Sequence, residues 1–455
     1  MSNFWKKWTK QLVVVAILMG SVALSVSAQT PTDNSPYSRY GLGNLLPTKF
    51  GPVSGMGGIS TGYNSFGAVN IDNPASLGFL RTTAFETGLQ SDLNWLSAND
   101  GTSDFTADGN LSHLVLGFPL KNPLNQLTAI KRSEFNWGMA LGVTPYSKVA
   151  YDIEQVQVLP NIDTVVSRTR GTGGLYQLFL SNGVSYKGFS FGYTAGYMFG
   201  RITEDRTTTF QDLTNSFSNI FVNETTYGGF VYKFGAQKEF VLNMGNEEEN
   251  TIAALRNKTK IVLGISGNNT MNLSTNVESL NRRFSSSYSQ FDTISNTSAD
   301  LGNTVLPANY SFGVTFLKDN HWLVGMDYSI ARWSGYSNPS KTDSLSNSFR
   351  VGFGAEFTPD YNAFSNYAKR IAYRIGGFYE LDPRIVAGEQ LTSYGVTVGV
   401  GMPISLPKKG TVGYANLAVE GGRLGIGSPI GETYMRITAA FTLNDNTWFY
   451  KRQFN

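Results

Sequence analysis

Residues 432–455 read ETYMRITAAFTLNDNTWFYKRQFN. Met435, Ile437, Ala439, Phe441 and Leu443 are apolar and alternate with Tyr434, Arg436, Thr438, Ala440 and Thr442. A period of two places the first set on one face of an extended strand and the second on the other. The same alternation recurs through the chain from residue 83 onward. No stretch after residue 28 approaches the roughly 18 consecutive apolar residues of a membrane helix. Alternating strands without spanning helices predict an all-β chain: a transmembrane antiparallel barrel, apolar toward lipid, small and polar toward a lumen.

The start of the chain fits that destination. Lys6, Lys7 and Lys10 precede an apolar run at 12–22, and Val26, Ser27 and Ala28 form a small-residue cleavage site. Residues 1–28 are expected to be a signal peptide cleaved after Ala28, with export to the outer membrane of a Gram-negative cell. The chain has no Cys, so neither a disulfide framework nor a lipid anchor is expected. The 30 Phe and 23 Tyr suit interfacial girdles, and the 49 Gly suit a crowded inner wall. The net charge of +3 is that of the three signal lysines, so residues 29–455 are neutral and no nucleic-acid partner is expected.

Periodicity predicts fourteen strands, at 83–96, 110–120, 135–146, 173–186, 189–204, 223–241, 258–275, 308–318, 321–335, 347–359, 371–383, 391–405, 412–424 and 432–443. The tightest connections, at Lys187 and Gly188, at Asp319 and Asn320, and at 407–410, follow even strands. The longest, at 147–172, 205–222 and 276–307, follow odd strands and are expected as outer loops, with both termini periplasmic. Trp95, Trp137, Trp322, Trp333 and Trp448 all fall near strand ends, where a girdle lies. The long connection 242–257, with Glu247, Glu248 and Glu249, reads as a solvated acidic turn.

Parity sorts charged residues inward, because a charge on the lipid face costs a few kcal/mol near the midplane. Asp327, Glu356, Glu380 and Glu420 face Arg350, Arg374 and Arg436 on the lumen side. Such a set either stiffens the barrel and holds a plug or receives a ligand's polar head. Residues 29–82 precede the first strand and read as an N-terminal plug or hatch, with residues 83–455 as the barrel. In the third strand Gly138, Ala140, Gly142 and Thr144 share the inner face up to Pro145, which lacks a ladder donor. Small side chains there make room either for the plug or for a lateral exit.

Several motifs carry a family resemblance: Asn73, Pro74 and Ala75 before the first strand, WGMALGVTPYSKVAYD (137–152), GTGGLYQLFLSNG (171–183), FGAEFTPD (353–360) and WFYKRQFN (448–455). With these, the chain resembles a divergent branch of the FadL/TodX family of outer-membrane transporters for hydrophobic compounds. The resemblance implies a fourteen-stranded barrel with an N-terminal hatch, a hydrophobic small molecule, detergent or lipid in the lumen, and sideways exit into the membrane. Two alternatives stand beside it, the first drawn from barrels of the same family. One is a shuttle or attachment component of the type IX secretion system that binds secreted proteins; the other is a diffusion porin. A monomeric barrel without a cofactor is expected. Only His113 and His321 occur, far apart and without Cys, so neither a metal site nor enzyme activity is expected.

Overall fold

The computed structural model describes residues 35–445 apart from 47–48, 100, 122–133, 161–162, 212–215, 243–258, 286–289, 320, 407–410 and 427. The signal and Ala28, the acidic turn 247–249, Asn320, the turn at 407–410 and the terminal motif with Trp448 lie outside the described residues.

The strands close into a fourteen-stranded antiparallel barrel. They are β1 Thr83–Ala98, β2 Ser103–Pro119, β3 Phe135–Leu159, β4 Asp163–Tyr186, β5 Phe189–Phe210 and β6 Phe217–Val241. Two interrupted strands follow: β7 as Thr259–Asn268 and Met271–Ser285, and β8 as Gln290–Leu306 and Asn309–Lys318. The rest are β9 Trp322–Ala331, β10 Ser348–Phe357, β11 Ala372–Val386, β12 Glu389–Leu406, β13 Thr411–Leu424 and β14 Ile430–Asp445. Both halves of β7 pair with β6, which identifies them as one broken strand. Closure runs from Ile430 opposite Ala98 to Asp445 opposite Thr83, so no backbone edge is left at this seam to face lipid unpaired.

Side-chain parity follows from the pleat. Val324, Met326, Phe353, Ile375, Val396 and Val398 are exposed on the outer face, while Thr397, Asn416, Ala418 and Glu420 are buried inside. Lys187 (φ 48°) and Gly188 (φ 77°) make the two-residue turn from β4 to β5, a conformation matched to strand twist. The end of the barrel holding this turn is called lower here, and the opposite end upper.

Two sequence expectations change. Most of 147–172, 205–222 and 276–307 is strand, since β3 to β8 continue their ladders far beyond the span a bilayer needs. Their Thr-, Ser- and Asn-rich upper parts bury neither face, so they lack the alternation that marks the wall. The second is Trp333, which is not in a girdle. β9 ends at Ala331, and a 3₁₀ turn at Trp333–Gly335 folds the chain inward. Trp333 there packs with Tyr336, Leu345, Leu306 and Leu42 in an apolar cluster inside the upper barrel.

Candidate functional site

The N-terminal segment runs down the inside of the barrel from the upper end. Ser35 donates its N–H to the Ala150 carbonyl (3.0 Å) and its hydroxyl to Glu432 (2.9 Å). The described residues of this segment thus begin in the upper half, and residues 35–46 run antiparallel to β3. Further down, Phe50, Val53, Met56 and Ile59 are fully buried in the lumen.

Glycine rows let this backbone approach the wall. Gly138, Gly183, Gly192 and Gly235 stand in register across β3 to β6. A Cβ at Gly183, Gly192 or Gly235 would collide with the Pro74 backbone or the Asn73 side chain, and one at Gly138 with the Leu77 carbonyl. On these glycines sits the motif of Asn73, Pro74 and Ala75. Asn73 caps the 3₁₀ helix Pro74–Phe79 by accepting from the Ala75 N–H (3.1 Å), and its amide donates to the Thr61 carbonyl (2.8 Å). A second row, Gly325, Gly354 and Gly376, seats Ile59, Met56 and Gly57.

The inward charges pair across neighbouring strands. Arg350 stands opposite Glu380 with N···O at 2.8 Å, and Arg374 opposite Glu356 at 2.7 Å. Arg436 stands opposite Glu420 at 3.4 Å and reaches Asp92 at 2.6 Å across the closing seam. Asp327 has another role: it accepts the backbone N–H groups of Ser60 and Thr61, both at 2.6 Å. Two members were not singled out from the sequence. Lys49 comes from the N-terminal segment to pair with Glu420, and burial pulls its ammonium down to about 8 against the opposing pull of that carboxylate. Asp92 shares the inward parity of β1 and was readable in principle. All of these groups except Arg374 and Glu356 line a central cavity of about 430 Å³ that also includes Asp72 and Arg384. His113 is fully buried, its Nε2 3.2 Å from Glu86 Oε1, and the same oxygen accepts the Gly51 N–H at 2.8 Å.

The wall is not uniform. Among the described residues, the β2–β3 ladder runs from Leu114 opposite Val143 to Pro119 opposite Gly138, with one further bond from the Leu120 N–H to the Trp137 carbonyl (2.8 Å). Above Val143 the strands part. β2 continues against β1 up to Ser103, and β3 continues against β4 with a register shift between Pro145 and Ser147. The missing Pro145 donor and the bulged Tyr146 turn β3 away from β2. Below the bulge Ala140, Gly142 and Thr144 are buried on the inner face; above it Ser147, Val149 and Tyr151 are. Gly142 lies against the Leu114 carbonyl and Val115, so its missing side chain serves packing within the wall.

The gap is partly occupied from inside. Asn44–Leu45 pairs with Lys148 and Ser147, and the Leu46 N–H reaches the Tyr146 carbonyl at 2.9 Å. One ion pair, Lys148 with Asp108, bridges the two strands. Beside it opens a cavity of about 800 Å³ lined by Leu46, Leu111, Pro145, Tyr176, Tyr197 and Phe199 together with that pair. Leu111, Tyr176, Tyr197 and Phe199 are exposed on the outer face, so this cavity opens outward from the wall.

Solved barrels share this architecture. The Pseudomonas putida toluene transporter TodX superposes with a TM-score of 0.52 at 16% identity, covering 89% of this chain and 99% of that one. The Ralstonia pickettii toluene transporter TbuX gives 0.51 at 14% identity, covering 88% and 99%. A Pseudomonas aeruginosa FadL homologue gives 0.50 at 11%, covering 90% and 100%. The FadL-type fold implied by the sequence resemblance is therefore the fold of this chain. The comparison with curated proteins finds no match. A family model described as BamG matches residues 8–455, and the chain belongs to the BamG family.

Proposed function

We propose that this barrel passes a hydrophobic or amphipathic small molecule, of the fatty-acid or aromatic-hydrocarbon kind, through the gap between β2 and β3 and sideways into the outer membrane. The observation that carries the reading is the cavity of about 800 Å³ where β2–β3 pairing stops. Its apolar lining suits a hydrocarbon body, and the pair of Lys148 and Asp108 suits a polar head. A greasy solute has no reason to cross the charged central cavity, so a sideways route is chemically the easier one. Residues 35–46 act as the movable part of a hatch: displacing Asn44–Leu45 from the β3 edge would widen the gap. A diffusion porin is the weaker alternative, because Phe50, Val53, Met56 and Ile59 occupy the mid-lumen. Export with removal of residues 1–28 belongs to the same reading.

Mass spectrometry of the detergent-extracted protein tests it. A bound fatty acid or similar amphiphile, lost when Leu111→Arg places a charge in the cavity, is the expected result. A stoichiometric secreted protein in place of a small molecule would favour the shuttle alternative and remove the transport reading.

A further inference from the structure

Lys238 departs from the inward sorting of charge. In β6, Phe234, Lys238 and Phe240 share the outer face, and both phenylalanines are exposed there. Lys238 stands opposite Phe189, the first residue of β5, beside the turn at Lys187 and Gly188. At a strand end such a cation is tolerated, because the stem lies on apolar surface while the head reaches the polar layer of the membrane.

Other ammoniums gather on the same rim, over a row of aromatic rings. Phe135, Tyr186 and Phe189 stand opposite one another across β3, β4 and β5, all exposed on the outer face. The Lys238 ammonium lies 3.6 Å from the centre of the Phe189 ring and 5.6 Å from that of Phe240. Lys187 lies 5.4 Å from Tyr186, and Lys121 5.4 Å from Phe135. Lys238 donates to the Lys187 carbonyl at 3.1 Å, which fixes its head at the turn. A Cβ at Gly188 would stand 3.8 Å from Lys238 Nζ, so the glycine leaves that flank of the ammonium uncovered. Among the described residues Lys238 has no carboxylate partner, and Lys187 has Glu134 at 3.5 Å.

A lipid phosphate fits this arrangement. An ammonium has three donors, and a ring face beneath it satisfies none of them fully. Outward parity turns these cations to the membrane, where phosphate is the anion at headgroup depth. Just above, Phe191 and Phe234 stack with ring centres 6.4 Å apart and offer an apolar surface to an acyl chain. We infer that Lys187 and Lys238, with Tyr186, Phe189 and Phe240, hold the phosphate of a glycerophospholipid against the lower rim, its acyl chains lying along Phe191 and Phe234. Short turns mark the periplasmic end of such barrels, so the lipid belongs to the periplasmic leaflet. The rim lies below the β2–β3 gap, so the inference stands apart from the proposed passage of a solute.

The test titrates the full chain, purified in a non-ionic detergent, with phosphatidylglycerol and reads retained lipid by native mass spectrometry. Diacylglycerol with the same acyl chains is the probe without phosphate, and the parent chain should retain it at least about tenfold less well. Lys187→Gln combined with Lys238→Gln should weaken retention of phosphatidylglycerol by at least about tenfold, since each lysine near a membrane surface contributes about fivefold toward an anionic lipid. Lys318→Gln, at the lower end of β8, should bind like the parent. Heat-modifiable gel mobility checks folding, and Lys238→Gln alone, with a loss of about fivefold, replaces the double variant if that fails to fold. Equal retention of the two lipids by the parent chain, undiminished retention by the folded lysine variant, or the same loss in Lys318→Gln overturns the inference. Preference for lipopolysaccharide over phosphatidylglycerol also overturns it, because the rim would then face the opposite leaflet.

Discussion

The β1–β2 hairpin has two seams, and they are built differently. On one side β1 pairs with β14 along its whole length, from Ile430 opposite Ala98 to Asp445 opposite Thr83. Its inner face is crossed by Arg436, buried between Asp92 and Glu420. On the other side β2 leaves β3 at Leu114, and above that point the pair of Lys148 and Asp108 spans the gap. Both seams cross the same bilayer, so lipid alone does not decide how far a ladder runs. Where alternation is unbroken the ladder closes. Where Pro145 and the Tyr146 bulge interrupt it, the N-terminal segment supplies the missing backbone partners from inside.

Breaking the closed seam should have the largest effect. Asp92→Asn leaves Arg436 buried with Glu420 as its remaining partner and should destabilise the barrel by about 3 kcal/mol. A clear fall in the temperature of the gel-mobility transition checks this, and an unchanged transition would show that the ladder holds the seam without the ion pair. Next, Leu89→Arg puts a charge on the lipid face of β1 opposite Ala439, at about 2 kcal/mol, and should reduce membrane insertion in a folding assay. In the paired lower part of the β2–β3 seam, Gly138 stands opposite Pro119 with Leu77 pressed against it. Gly138→Ala should cost about 1–2 kcal/mol by overpacking and expose the N-terminal segment to protease. Gly421→Ala, with open space around it, should stay within about 0.5 kcal/mol. Equal protease sensitivity in the two glycine variants would mean that the segment is not held by close backbone approach. The smallest effect belongs to the open seam. Lys148→Met should change stability by at most about 1 kcal/mol, since the pair is partly solvated, yet it should speed thiol labelling of a Leu111→Cys reporter.

Much of the wall was legible in the sequence because lipid on one side and lumen on the other enforce strict alternation. β9 to β14 fall within a few residues of their expected spans, and the pairing of Arg350 with Glu380 and of Glu356 with Arg374 follows from inward parity plus register. The upper parts of β3 to β8 were not legible, because a strand solvated on both faces has no periodic signal. The break at 269–270, inside the expected strand 258–275, was likewise missed. Lys49 sits in an irregular segment where no period assigns a face. Pro145 is visible as a ladder-breaker, but the extent of the gap depends on which strand lies beside β3, and single-strand periodicity carries no information about that. Trp333 shows a related limit: its proximity to a strand end does not reveal that Arg332 turns the chain inward.

Whether the open seam is the route can be measured by closing it. The chain has no Cys, so Asp108→Cys with Lys148→Cys would introduce a single thiol pair across the gap. Uptake of a hydrophobic solute such as toluene or a fluorescent fatty acid into proteoliposomes should stop when the pair is oxidised and return on reduction, with barrel mobility on gels unchanged. Equal uptake in the oxidised and reduced states would contradict passage between β2 and β3.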